Sequence, residues 1–145
     1  MIASVMGQED LDHVNMTRIP VYYGHTPSGT SSKNVLQFLQ MARSHRFQKF
    51  DYGPRGNQLM YNTSTPPEYN ISNIRTPVVL MSGTEDLLSN RPDVEWTHKQ
   101  LPNVVKWFEI KGYSHAGFSW ATNAKEEVTD RIVRLVKVWS KGRPV

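Results

Sequence analysis

The chain has 145 residues, of which 38% are hydrophobic and 21% charged, enough for one domain with an apolar core. Its formal net charge is +4, but the basic residues are scattered and form no known motif, so we expect no nucleic-acid partner. The nearest approach to a basic cluster suits the C-terminal end of the last predicted helix. It comprises Arg131, Arg134, Lys137, Lys141 and Arg143.

Several classes of site are excluded by composition. The chain has no cysteine, so it has no disulfide, no thiolate nucleophile and no thiolate metal ligand. Its five histidines show no spacing typical of zinc ligands, and no glycine-rich phosphate loop is present. No apolar run approaches the roughly 20 residues of a membrane span. We therefore expect no thiolate or zinc site, no phosphate-binding loop and no transmembrane segment.

The N-terminus and the asparagines bear on the cellular compartment. Residues 1–10 lack a basic start and run into acidic residues, so we expect no signal peptide there and leave the chain's location open. Three Asn-x-Ser/Thr sequons are candidate glycosylation sites, at Asn15, Asn62 and Asn70.

The first half of the chain predicts little regular structure. Residues 1–30 indicate a loop with at most one short strand. A helix is predicted from Ser31 or Ser32 to about His45. Residues 51–76 are rich in Gly, Pro, Asn and Ser and predict a long irregular connection. One face of the predicted helix is apolar, with Val35, Phe38, Leu39 and Ala42.

The second half predicts an alternation of strands and helices. Strands are expected at 77–82 and 104–110, with a helix between them that Asn90 caps and that ends near Leu101. The last helix is predicted to start at Asn123, with Glu126 completing a capping box. This order favours an α/β fold with parallel strands and right-handed crossovers. The core face of the last helix is predicted to be Val128, Ile132, Leu135, Val136 and Trp139, and Gly142 with Pro144 to end it.

An acid and a base follow the two predicted strands. Asp86 lies after the first strand and His115 after the second, and sites in parallel sheets gather at the carboxyl ends of strands. In α/β-hydrolases the order of the catalytic triad is Ser, then Asp or Glu, then His. Asp86 and His115 are therefore predicted as the acid and base of such a triad. Glu85 and Asp93 are rival acids, although Asp93 more naturally falls in the first turn of the next helix.

Ser114 is an alternative nucleophile, because Gly112-Tyr113-Ser114-His115-Ala116 resembles a nucleophile elbow. However, no histidine follows His115, so the triad order is not met from Ser114. Ser114 is interpreted as a loop residue beside the base.

An ordered series of segments resembles the acid lipase family, the α/β-hydrolases that include gastric and lysosomal acid lipases. The segments cover nearly the whole chain. They are 15–18, 25–31, 50–53 with Asn57, 61–69, 83–88, 101–103 and 113–115 with Phe118 and Trp120.

The resemblance implies that Asp86 is the triad acid and His115 the base, acting on carboxylic esters of lipids without a metal or organic cofactor. It also implies that residues 1–50 are the end of the cap region and residues 51–145 the C-terminal part of the core. A full-length member is expected to be lysosomal or secreted. The chain departs from the family at Gly117, where an acid is usual.

The nucleophile elbow of the family corresponds to sequence upstream of residue 1, so we expect a C-terminal lipase fragment that is inactive alone. The alternative is a truncated or degenerate chain with a binding role or no independent role. An apolar strand with an open edge is a template for association, so we also expect the chain to aggregate or be partly ordered.

Overall fold

A computed structural model of the chain describes residues 14–26 and 28–142. The fold divides into two units. One unit comprises Met1–His25 and Ser72–Val145, and the other comprises Thr26–Ile71. Among the described residues, no helix has the length and apolar content needed to cross a membrane.

Residues 16–25 are helical, so the predicted loop with a short strand is wrong there, whereas residues 28–30 are irregular as predicted. A 3₁₀ turn at Met16–Arg18 leads into helix α1, Ile19–His25. The side chain of Asn15 accepts a hydrogen bond from the backbone N–H of Thr17 at 3.1 Å and thereby caps the turn. Pro20 falls within the predicted loop, but it lies in the first turn of α1. The N–H groups of a first turn have no intrahelical partner, so the missing N–H of proline costs no hydrogen bond there.

The unit Thr26–Ile71 contains helix α2, Ser32–Ser44, and helix α3, Gly53–Tyr61. The predicted helix from Ser31 or Ser32 to His45 is confirmed, and His45 ends it in the left-handed conformation at φ 54°. The prediction that residues 51–76 are irregular is wrong over α3. Pro54 occupies the first turn of that helix and Asn62 ends it at φ 60°, so residues that were interpreted as helix breakers mark its two ends.

Polar contacts hold α2 and α3 to the chain around them. The side-chain amide of Gln40 donates to the carbonyl of Asp51 and accepts from its N–H, both at 2.9 Å. The buried amide of Asn57 donates to the Asp51 carboxylate at 2.7 Å and accepts from the N–H of Tyr52 at 2.9 Å. The apolar face predicted for α2 is exposed at Val35, Phe38 and Leu39.

A parallel pair of strands forms the sheet of the other unit. Strand β1 is Val78–Gly83, helix α4 is Arg91–Gln100 and strand β2 is Val104–Ile110. The strands are parallel neighbours, with Leu80 beside Trp107. Asn90 caps α4, since its side chain accepts from the N–H of Asp93 at 3.1 Å. The predicted strand–helix–strand order and the parallel pairing are confirmed, and the unit is a mixed α/β structure.

The last elements are helix α5, Gly117–Trp120, a π-helical turn, Lys125–Thr129, and helix α6, Asp130–Trp139. The predicted capping box at Asn123 is wrong, because the Asn123 side chain accepts a hydrogen bond from the Tyr113 hydroxyl instead. Gly142 lies beyond α6 at φ 67°, as expected for a helix end, and Pro144 lies outside the described residues.

The apolar core of this unit is small. Its buried residues are Ile110, Tyr113 and Val128, with Met81, Phe118 and Ala121 packed against them. The predicted core face of the last helix is correct for Val128, whereas Ile132, Val136 and Trp139 are exposed. The core therefore lies around the segment that leads to His115, rather than along α6.

Candidate active site

The carboxyl ends of β1 and β2 bring Asp86 and His115 together. Asp86 follows β1 by three residues and His115 follows β2 by five. The Oδ2 atom of Asp86 lies 3.1 Å from Nδ1 of His115. The geometric prediction, a carboxylate within hydrogen-bond reach of the imidazole, is confirmed.

The Asp86 carboxylate is fixed by its own loop. Its Oδ1 accepts hydrogen bonds from the backbone N–H groups of Leu88 at 2.9 Å and Ser89 at 2.8 Å. The side chain is only 3% exposed. With Oδ1 occupied by two amides, Oδ2 is left to face the imidazole, and the carboxylate has one orientation.

This arrangement sets the tautomer of His115. An ionised carboxylate only accepts hydrogen bonds, so Nδ1 of His115 must donate to it. In the neutral ring, Nε2 is then the acceptor, which is the atom a general base uses. The His115 side chain is 45% exposed, so a reactant can approach the ring while its acid partner stays buried.

Hydrogen bonds join the two loops that carry the pair. Beyond the strand ends, the N–H of Thr84 donates to the carbonyl of Ile110 at 3.1 Å, and the N–H of Glu85 donates to that of Tyr113 at 3.0 Å. A further bond runs from the N–H of Gly112 to Oγ1 of Thr84, at 2.9 Å. The two loops therefore continue the pairing of the strands as far as the site.

Close approach of the loops requires a glycine at the end of β1. A Cβ atom at Gly83 would lie 2.1 Å from the carbonyl oxygen of Tyr113, well inside van der Waals contact. Only glycine leaves this space. Gly83 begins the Gly-Thr-Glu-Asp part of segment 83–88, but its role depends on a contact 30 residues away that no local pattern indicates.

Tyr113 anchors the loop that carries His115. It is 2% exposed, and its hydroxyl donates to Oδ1 of Asn123 at 2.8 Å. Its ring packs edge-on against Phe118, with 5.5 Å between ring centroids. Burial raises the pKa of Tyr113, and the nearby carboxylates of Glu127 and Glu126 raise it further, so the phenol stays a donor. The sequence predicts Asn123 as a helix cap, and no local pattern indicates its hydrogen bond to Tyr113.

The rival acids have other surroundings. Glu85 is exposed, and its Oε1 accepts from the Thr84 hydroxyl at 3.1 Å. Asp93 lies in the first turn of α4, as expected. In the same turn, Arg91 pairs with Glu95 at 2.8 Å and with Glu109 of β2 at 2.5 Å, which ties the start of α4 to the sheet beside the Asp86 loop.

Ser114, the alternative nucleophile, is 1% exposed. Its Oγ accepts a hydrogen bond from the N–H of Gly117 at 3.3 Å. A hydroxyl this deeply buried is closed to an ester carbonyl. The same bond gives Gly117, the position where the acid lipase resemblance has an acid, a backbone role in holding the loop.

The remaining predicted sites are not brought to this region by any contact described. The sequon residues Asn15, Asn62 and Asn70 are all exposed, and Oδ1 of Asn62 accepts from the side chain of Gln58 at 3.0 Å. Glycosylation at these residues stays a prediction. Within residues 14–26 and 28–142, no group of three or more histidine or acidic side chains is arranged to hold a metal ion.

Known lipases are similar to this chain in sequence. The gastric triacylglycerol lipase of Rattus norvegicus is 38% identical over 128 residues, which is 88% of this chain and 32% of that protein. The human gastric triacylglycerol lipase is 37% identical over the same shares. The lysosomal acid lipase/cholesteryl ester hydrolase of Rattus norvegicus is 33% identical over 86% of this chain and 32% of its own. No family model matches the chain.

The chain spans about a third of the length of these relatives, which is 32% in each case. The resemblance drawn from the sequence is thereby confirmed: the chain is a relative of the acid lipases and corresponds to a C-terminal portion of that family.

Proposed function

We propose that this chain supplies the acid and the base of a Ser–Asp–His triad that hydrolyses carboxylic esters of lipids. The observation that supports this most is the 3.1 Å contact between Asp86 Oδ2 and His115 Nδ1 at the ends of two parallel strands. The names of the relatives, triacylglycerol lipase and cholesteryl ester hydrolase, support lipid esters as the substrate class.

The geometry supports a separate role for each residue. Nε2 of His115 takes the proton of a serine hydroxyl as that oxygen attacks the ester carbonyl. Asp86 stabilises the imidazolium that forms. The imidazolium then gives its proton to the departing alcohol oxygen, which leaves an acyl-serine. In the second half-reaction Nε2 takes a proton from water, the hydroxide oxygen attacks the acyl carbonyl, and the proton returns to the serine as the fatty acid leaves.

In this proposal Ser114 is not the nucleophile. Ser114, which is beside His115, is buried and bonded to the N–H of Gly117. We propose that the serine and the oxyanion hole belong to the part of an acid lipase that precedes the region this chain matches. On the same reasoning, residues 1–50 are the end of the cap and residues 51–145 the C-terminal part of an α/β-hydrolase core.

A chimera tests the proposal. The homologous C-terminal segment of rat gastric triacylglycerol lipase is replaced by this chain, and hydrolysis of a p-nitrophenyl ester and of a triacylglycerol emulsion is measured. We expect the chimera to hydrolyse both. Asp86→Asn should lower kcat by about a thousandfold or more, because the imidazole loses the partner that fixes its tautomer.

Glu85→Gln is the matched control, since it neutralises the neighbouring acid but keeps an Oε1 atom that can accept from the Thr84 hydroxyl. Its exposed charge should contribute little, so the change in kcat should stay below roughly fivefold. A chimera that folds, by circular dichroism and thermal melting, but hydrolyses neither ester would contradict the proposal. That result would favour the alternative, a degenerate chain with a binding role or none.

A further inference from the structure

We propose that Thr84 is a positioning residue for the Asp86–His115 pair, acting through a side-chain hydrogen bond between the two loops. The inference rests on the proposed function, because it names a residue that keeps the acid and base of that site in place. It gives a role to a side chain of the Gly-Thr-Glu-Asp segment that the triad itself leaves unused.

The hydrogen bond between Thr84 and Gly112 lies close in sequence to both residues of the pair. Oγ1 of Thr84 accepts from the N–H of Gly112 at 2.9 Å. Thr84 stands two residues before Asp86, and Gly112 three residues before His115. Two further bonds described between these loops run from backbone to backbone. Besides Asp86 and His115 themselves, Thr84 therefore contributes a described side-chain hydrogen bond between the acid loop and the base loop.

The backbone conformation of Gly112 explains why its N–H bonds to a side chain. Gly112 turns the chain out of β2 at φ 77°, a conformation that breaks the regular ladder and that glycine adopts without strain. After this turn the Gly112 N–H meets no strand carbonyl, and the Thr84 hydroxyl takes that place. Without the Thr84 hydroxyl, the Gly112 N–H would lack this partner in the Asp86 loop.

The Thr84 hydroxyl both accepts and donates a hydrogen bond. It accepts from Gly112 and donates to Oε1 of Glu85 at 3.1 Å. Because the hydroxyl proton is directed to Glu85, the lone pairs of Oγ1 are left to face Gly112. Glu85, the rival acid, thereby acts on the orientation of Thr84 rather than on the imidazole.

The consequence concerns the distance between acid and base. The Asp86–His115 contact is a single hydrogen bond of 3.1 Å, and its two ends lie on separate loops. A displacement of a few tenths of an ångström between the loops weakens such a bond and frees the imidazole to change tautomer. Thr84 limits this displacement at the base of both loops.

The test compares Thr84→Val, which keeps the shape but removes the hydroxyl, with Thr84→Ser, which keeps the hydroxyl. The matched control is Thr97→Val in α4, where the lost hydroxyl bonds only the carbonyl of Asp93 in its own helix. The first readout is ¹⁵N NMR of the 145-residue chain labelled at histidine. His115 is identified by the signal that His115→Gln removes.

We expect wild-type His115 to hold the Nδ1–H tautomer at neutral pH. Thr84→Val should shift it toward the Nε2–H tautomer, while Thr84→Ser and Thr97→Val leave it unchanged. An unchanged spectrum for Thr84→Val would overturn the inference alone. A wild-type spectrum without the Nδ1–H tautomer would overturn both the inference and the triad geometry of the proposed function.

The second readout is kinetic, in the lipase chimera. Thr84→Val should lower kcat by roughly two- to tenfold, the range to which one net hydrogen bond converts, with KM unchanged. Thr84→Ser should restore kcat. A rise in KM at constant kcat, or a loss of the same size in Thr97→Val, would mean that Thr84 serves folding or substrate binding instead.

Discussion

In the sheet-containing unit, one region has polar groups with hydrogen-bond partners, and another has apolar side chains that are left open to solvent. At the carboxyl ends of β1 and β2, the Asp86 carboxylate, the Tyr113 hydroxyl and the N–H group of Gly112 have hydrogen-bond partners. One face of the same sheet instead forms, with α6, an open apolar groove of about 490 Å³. The groove is lined by Pro77, Val79, Met81, Val105, Ile132, Leu135, Val136 and Trp139.

The difference separates local from distant requirements. The hydrogen bonds described for Asp86 and for the loop of His115 have their partners between Thr84 and Asn123. The groove has apolar side chains that gain free energy only when another surface covers them. The expected association of the chain through apolar surface and an open strand edge stays a prediction, and this groove is where we expect it.

The strongest way to break the ordered region is at Gly83. In Gly83→Ala, the new methyl group would meet the Tyr113 carbonyl, which the geometry places at 2.1 Å. We expect the free energy of unfolding to fall by about 3 kcal/mol, the upper part of the range for overpacking a close contact. Urea unfolding of the chain, followed by tryptophan fluorescence, measures this.

Gly24→Ala is the control for Gly83→Ala, because nothing lies within 4 Å of the added Cβ. Since Gly24 is in α1, alanine there should be neutral or stabilising by up to about 1 kcal/mol. Equal stability of Gly83→Ala and the wild type would show that the two loops do not approach as described.

Two valines near the C-terminus compare the two regions directly. Val128 is 9% exposed and belongs to the core beside Tyr113, whereas Val136 is 60% exposed in the groove. Val128→Ala should lower the free energy of unfolding by about 2 kcal/mol through lost burial and a cavity. Val136→Ala should change it by less than about 0.5 kcal/mol. The same urea titration serves both variants, and equal losses would mean that the groove is closed in solution.

The strand–helix–strand core and its site were predictable because each signal is local. Buried apolar runs marked β1 and β2, and Asn90 with Pro92 marked the start of α4. Parallel pairing then required the loops that follow the strands to meet, which brought Asp86 and His115 together. The acid lipase resemblance implied Asp86, rather than its neighbour Glu85, as the acid.

The supporting residues were not predictable for a physical reason. Gly83, Thr84 and Asn123 act on partners 10 to 30 positions away, at Tyr113 and Gly112. Sequence periodicity carries no record of such contacts. The sequence does not predict helix α3, because its glycine and proline residues also suit a loop. Proline in a first turn is nevertheless compatible with the start of a helix. The exposed face of α6 was missed because an apolar stripe predicts what would be buried, not what covers it.

The most direct test of the central claim, that His115 is the base of an ester-hydrolysing site, is the turnover of two histidine variants in the lipase chimera. His98→Ala is the matched variant, because His98 lies on α4 and packs against Trp107, 5.4 Å between ring centroids, away from Asp86. We predict that His115→Ala lowers kcat by about a thousandfold or more, while His98→Ala changes it by less than roughly fivefold. Near-normal turnover of His115→Ala, with both variants folded, would contradict the account.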